Sequence, residues 1–132
     1  MIQAYTPANY EMLSQWWTAH EWAPVPPTSL PTTGYISYVG GNPILAGFLY
    51  IPQSGDIGWV EWVVSNPVAT FEERTEAFIE LVEHINQVAR NAGLNSLITS
   101  GDNQKYLKRM EYFGYLPISH NITHLWKILC QP

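Results

Sequence analysis

The chain has 132 residues, a length that reads as one domain, 1–132, with a real core. Its charged fraction of 13% is about half the usual ~25%, and six Trp, eight Tyr and four Phe fill the gap. A net charge of −5 without a basic stripe argues against a nucleic-acid partner, and the single cysteine, Cys130, excludes an internal disulfide framework, zinc set or Cys-x-x-Cys pair.

Ile2–Tyr5 is a short alternating segment, and Thr6-Pro7 is a helix start, because Pro lacks an N–H that would be orphaned in the first turn. The helix is predicted over about 7–20, with Tyr10, Leu13, Trp16 and Trp17 on its apolar side. Pro24, Pro26, Pro27 and Pro31 then forbid both helix and central strand, which leaves an extended connector. Strands follow at 34–39, 43–51 and 57–64, joined by the turns Gly40-Gly41-Asn42 and Gln53-Ser54-Gly55-Asp56. They read as a three-stranded antiparallel meander.

Thr70-Phe71-Glu72-Glu73 has the form of a capping box, and apolar residues from Ala77 to Ala89 keep helical spacing until Gly93 stops them. Residues 94–99 form a strand. A strand, helix and strand in this order require a right-handed crossover, so 57–64 and 94–99 are expected to be parallel neighbours. Asp102 or Asn103 caps a last helix that ends at Gly114, and 115–129 are expected to hold one or two closing strands. The expected class is α+β, with a mixed central sheet flanked by helices. No apolar run approaches the ~18 residues of a membrane span, and no basic n-region precedes an apolar stretch at the start. A soluble, cytoplasmic protein with no membrane partner is therefore expected.

One parallel pair in an otherwise antiparallel sheet lets two strands splay, and a helix N-terminus then aims N–H groups into the gap. The order from Ile57 to Tyr115 resembles the acyl-CoA-binding core of the GNAT superfamily of N-acyltransferases. The family motif Arg/Gln-x-x-Gly-x-Gly/Ala falls on Glu72, Thr75 and Ala77, of which only Ala77 matches. The second motif, Asn-x-x-Ala-x-x-x-Tyr-Glu-x-x-Gly-Phe, is matched by Asn103, Glu111 and Gly114 and nearly by Tyr115. Tyr106 takes its Ala position and Met110 its Tyr position.

The resemblance implies acetyl-CoA as cofactor and an amine, small-molecule or protein, as acceptor. It assigns Val63 and Val64 to backbone pairing with pantetheine, Arg74 and Thr75 to the phosphate loop and Asn103 to the cofactor arm. Glu61, the only ionisable group in Trp59–Val64, takes the role of base. Met110 cannot donate a proton, so Tyr112 or Tyr106 would have to stand in as acid, with Tyr112 as the candidate, although helical spacing aims neither in the direction of residue 110. The first helix and its loop imply an acceptor side at Trp17, His20 and Trp22.

Plainer roles are open to the same residues: a solvent-facing polar position for Glu61, an N-cap for Asn103, and packing for the tyrosines and part of the Trp cluster. His120 and His124 do not make a credible metal site, so none is expected. The small size, the aromatic content and the loop from Asn66-Pro67 to Arg74 look similar to GNAT-like proteins encoded by bacteriophages. The rival function is a binding module without turnover, directed at a host protein. A small-ligand binder unrelated to CoA is a third class, and the exposed aromatics suit a homodimer.

Overall fold

The computed structural model describes residues 1–101 and 103–129; Asp102, one of two expected helix caps, and Cys130 lie outside them. The chain divides into two compact units, Met1–Ser100 and Gly101–Pro132.

The first unit is built on a five-stranded sheet in chain order: β1 (Ile2–Ala4), β2 (Gly34–Val39), β3 (Asn42–Tyr50), β4 (Ile57–Ser65) and β5 (Ser96–Thr99). β1 to β4 are antiparallel, which bears out the expected meander and adds β1 to its edge. β4 and β5 run parallel from Ile57↔Ser96 to Val60↔Thr99, as the crossover requires.

Helix α1 (Tyr10–Ala19) and helix α2 (Phe71–Asn91) cover opposite faces of this sheet. Leu13, Trp16 and Trp17 of α1 pack with Ile36, Ala46, Phe48 and Val64. The neighbouring position Gly47 points the other way: a Cβ there would stand 3.2 Å from Leu81 of α2. α2 buries Ala77, Phe78, Leu81, Val82, Ile85 and Ala89, a stripe at helical spacing. Each of its large apolar side chains contributes roughly 1.5–3 kcal/mol of transfer free energy.

The ends of the helices follow local chemistry. The first helix was expected from Pro7, but Pro7–Asn9 form a 3-10 turn, with the Asn9 carboxamide oxygen accepting the Thr6 N–H at 2.9 Å. α1 ends in a Schellman motif: Trp22 N–H donates to the Trp17 carbonyl and Glu21 N–H to that of Thr18, with Glu21 at φ 64°. α2 starts on the predicted capping box, Thr70 with Glu73, and ends at Gly93, whose φ of 82° suits glycine. Leu94 belongs to that terminal turn, since its N–H donates to the Ala89 carbonyl, so β5 begins two residues later than the apolar run suggests.

In the second unit, α3 (Gln104–Tyr112) is capped by Asn103, whose Oδ1 accepts from Lys105 N–H at 3.0 Å and Tyr106 N–H at 3.3 Å. It ends at Gly114 in a further Schellman motif. The expected closing strands are not formed: residues 115–129 hold no strand. Their apolar residues alternate, but Pro117 has no N–H for a ladder and Asn121 sits at φ 56°, so the extended run is broken at both positions.

Candidate functional site

β4 has a bulge that its sequence does not announce. Opposite β3, Phe48 pairs with Glu61 and Ala46 with Val64, so Trp62 and Val63 together face the single residue Gly47. Trp62 takes φ 60°, a left-handed conformation rare for a bulky residue. Its ring packs against the α1-side core and its Nε1 donates to Tyr50 Oη at 2.8 Å. Tyr50 Oη donates in turn to the Ser29 carbonyl at 2.8 Å, which pins the proline-rich connector to the sheet.

The bulge lies just beyond the last β4–β5 pair. Thr99 Oγ1 donates to the Val60 carbonyl at 2.9 Å and ends the parallel ladder. At the far end of β4, the Ser65 carbonyl accepts from His20 Nε2 at 2.9 Å. That bond fixes the tautomer with the proton on Nε2. Between these two plugs, Glu61–Val64 pair with β3 on one side and, among the described residues, with no strand on the other. Val63 and Val64 thus lie on an open strand edge, where an extended ligand with amide groups can add as a further strand.

Glu61 stands at the start of that edge, half-buried. Its Oε1 accepts from Trp59 Nε1 at 2.6 Å and from Ser100 Oγ at 2.9 Å. Two donors on one oxygen fix the carboxylate and leave Oε2 without a donor among the described residues.

The start of α2 is different in character. Thr70 N–H donates to Glu73 Oε1 at 2.9 Å, and Glu73 N–H donates to Thr70 Oγ1 at 3.1 Å. The Glu73 carboxyl is held below its ordinary range, first by the Thr70 backbone N–H and then by the Thr70 side chain. The carboxylate takes the Thr70 N–H and the Thr70 hydroxyl takes the Glu73 N–H, so two donors at the helix start are engaged and a fixed negative charge lies where a pyrophosphate would approach. Arg74 turns its guanidinium back to the Ala69 carbonyl, and Thr75 Oγ1 donates to the Phe71 carbonyl at 2.9 Å. Both expected phosphate-loop side chains are engaged with their own backbone. The residues present fit the amide-bearing arm of an acyl-CoA along β4, and they do not form a phosphate cradle at α2.

The expected acceptor-side residues separate. Trp17 is 2% exposed and belongs to the core, whereas Trp22, 45% exposed, stacks on His20 with ring centroids 5.2 Å apart. Sequence reasoning missed a cleft of about 520 Å³ at the other end of α1, lined by Tyr5, Tyr10, Leu30 and prolines including Pro27 and Pro31. Burial and then the neighbouring Tyr10 raise the Tyr5 hydroxyl. In the second unit, Tyr112 is exposed and meets Phe113 edge-on at 5.4 Å, and the Oδ1 of Asn103 is occupied by its capping bonds.

This architecture is the GNAT acyltransferase fold. The aminoglycoside N-acetyltransferase AAC(6')-Iy, solved with CoA, superposes with a TM-score of 0.68 over 97% of this chain and 100% of its own, at 13% identity. An acetyltransferase of Trypanosoma brucei gives 0.63 over 97% and 99%, at 14% identity. N-acetylglutamate synthase of Neisseria gonorrhoeae, solved with coenzyme A and N-acetyl-glutamate, gives 0.66 at 18% identity; 84% of this chain matches 27% of that longer one. No protein-family model and no curated protein matches the sequence. No helix among the described residues is long and apolar enough to cross a membrane.

Proposed function

We propose that residues 1–132 act as one acyl-CoA-dependent N-acyltransferase domain, with acetyl-CoA as donor and an amine as acceptor. The observation that carries this reading is the open edge of β4, created where β5 pairing stops at Val60 and the Trp62 bulge follows. Its support from other proteins is that neighbours of the same fold were solved with CoA. Acetyl-CoA supplies an activated acetyl thioester. Val63 and Val64 hold its arm by backbone pairing. Glu61 Oε2 takes the proton of the acceptor ammonium, while Trp59 and Ser100 keep Oε1 in place. Arg74 and Thr75 set the shape of the loop into α2. His20 and Trp22, with the core residue Trp17 behind them, close the Ser65 end of the β4 edge.

A second reading, the fold kept as a binding module without turnover, draws on two observations: the Glu73 carboxylate at the α2 start and Met110 at the family's tyrosine position. One experiment separates the two. Calorimetric titration with acetyl-CoA is paired with CoA release in the presence of amines, for the wild type and Glu61→Gln. The first reading expects binding unchanged by the substitution and turnover lowered by roughly 10²–10⁴. No binding of acetyl-CoA at millimolar ligand sinks it.

A further inference from the structure

The three aromatic residues around Glu61 carry information about the acceptor. Phe48 and Glu61 are register partners, and Phe48 packs on the α1 side of the sheet. Period-two alternation puts Tyr50 and its partner Trp59 on that same side. The bulge adds Trp62, which packs against the same cluster. Tyr50, Trp59 and Trp62 thus share one face with the Glu61 carboxylate.

All three rings are pinned by their own polar atoms. Trp59 Nε1 is spent on Glu61, Trp62 Nε1 on Tyr50, and Tyr50 Oη on the Ser29 carbonyl. The walls therefore offer ring faces whose N–H and O–H donors are all engaged, while the Glu61 Oε2 has no donor among the described residues. Trp59 is 37% exposed, so its ring is accessible from solvent. A carboxylate beside aromatic faces favours a cation that also carries apolar surface. A polyhydroxylated amine would strip water from its hydroxyls and find no partners for them.

From this we propose that the acceptor is a compact primary ammonium on a flat or apolar body, an arylalkylamine in chemical class. The ammonium sits on Glu61 Oε2 and the body lies against Trp59, Tyr50 and Trp62. The assignment rests on the acyltransferase reading for turnover but not for binding. Trp59 and Ser100 are positioning residues here, because they act through Oε1.

The test is calorimetric titration of the full chain with 2-phenylethylamine, its neutral isostere 2-phenylethanol, and kanamycin. Wild type, Glu61→Gln, Trp59→Phe and Trp59→Leu are compared, with CoA release from acetyl-CoA measured alongside. The expected result is that 2-phenylethylamine binds at least about tenfold tighter than the other two ligands. Its affinity falls about tenfold in Glu61→Gln and roughly fivefold in Trp59→Leu, and Trp59→Phe, which keeps a ring, retains most of it. In Trp59→Phe the lost donor appears instead as lowered kcat with KM nearly unchanged. Tighter binding of kanamycin, or indifference to both Glu61→Gln and Trp59→Leu, overturns the assignment. Glu61-dependent binding of 2-phenylethylamine with no transfer to any amine upholds the site and overturns the acyltransferase reading. Glu61-dependent transfer to other amines, with 2-phenylethylamine neither bound nor acetylated, does the reverse.

Discussion

Replacing Trp62 by Gly and, separately, by Ala isolates the backbone contribution of the bulge. Both variants lose the Nε1 bond to Tyr50, worth about 1 kcal/mol. Both also lose about half of the ~200 Å² that a Trp buries, or roughly 2.5 kcal/mol at ~25 cal/mol per Å². These losses are common to the pair and cancel in the comparison. What remains is the φ of 60°. An Ala held there costs ~1–2 kcal/mol, whereas Gly is at ease and forfeits only about 0.5–1 kcal/mol of chain entropy. Trp62→Gly should therefore be more stable than Trp62→Ala by roughly 0.5–1 kcal/mol. In an ordinary extended strand the order is the reverse, with Ala ahead by a similar amount. Urea unfolding reads the difference directly: at a slope of ~2 kcal/mol per M, the Gly variant should have its midpoint higher by roughly 0.3–0.5 M. Equal midpoints, or Ala above Gly, would refute a left-handed Trp62 and with it the open edge. Acetyl-CoA titration of the same proteins adds a functional reading, since the Gly variant keeps the edge and should keep the ligand.

Three further outcomes are expected. Gly34→Ala would place a Cβ 2.4 Å from Phe48 Cδ1, against a ring that is fully buried. The overpacking should lower Tm by roughly 5–10 °C in a thermal melt, and an unchanged Tm would contradict the close approach. Thr70→Ala removes the cap of α2, at about 1 kcal/mol in chemical unfolding, yet releases the Glu73 N–H. Its affinity for acetyl-CoA should rise while stability falls, and a fall in both would show that the cap does not compete with phosphate. Glu73 has a folded-state pKa below its unfolded value, so its contribution is fully present above the unfolded value near 4.5 and is lost as pH falls through the folded one. As pH falls below about 5, the Tm of the wild type should therefore drop more steeply than that of Glu73→Gln; parallel curves would contradict the bond to Thr70.

Much of the fold was legible because its signals are local. Thr70-x-x-Glu73 names a helix start, and Gly93 and Gly114 name stops, through side-chain and φ chemistry that needs no tertiary contact. The crossover between β4 and β5 followed from element order alone. The bulge was not legible for a physical reason. Apart from Glu61, Trp59–Val64 is apolar toward both faces, so a one-residue insertion breaks no visible alternation, and Trp has no leaning toward positive φ that would mark the position. Glu61 stood out as the lone charge of its strand, but its partners did not. Ser100 lies 39 residues away and reaches it only because β5 lies beside β4. The segment 115–129 failed in the opposite sense, since alternation is a property of sequence whereas a strand is a property of pairing.

The two ends of the proposed acyl-CoA site point to an unequal division of binding. In a cradle at a helix start, affinity comes from phosphates on free N–H groups, and the reacting end is positioned by whatever lies downstream. Here the capping box stabilises α2 by engaging two of those donors and fixing a carboxylate beside them, and a chain with net charge −5 offers no field to draw an anionic ligand in. The β4 edge, by contrast, is fixed at both ends, by Thr99 at Val60 and by His20 at Ser65. Binding free energy should then come mostly from the neutral arm near the thioester. It follows that truncating the nucleotide from the donor should cost this protein little, and that a short acyl-pantetheine should approach acetyl-CoA in affinity. If the short donor instead binds a hundredfold more weakly, phosphate recognition resides somewhere other than the start of α2.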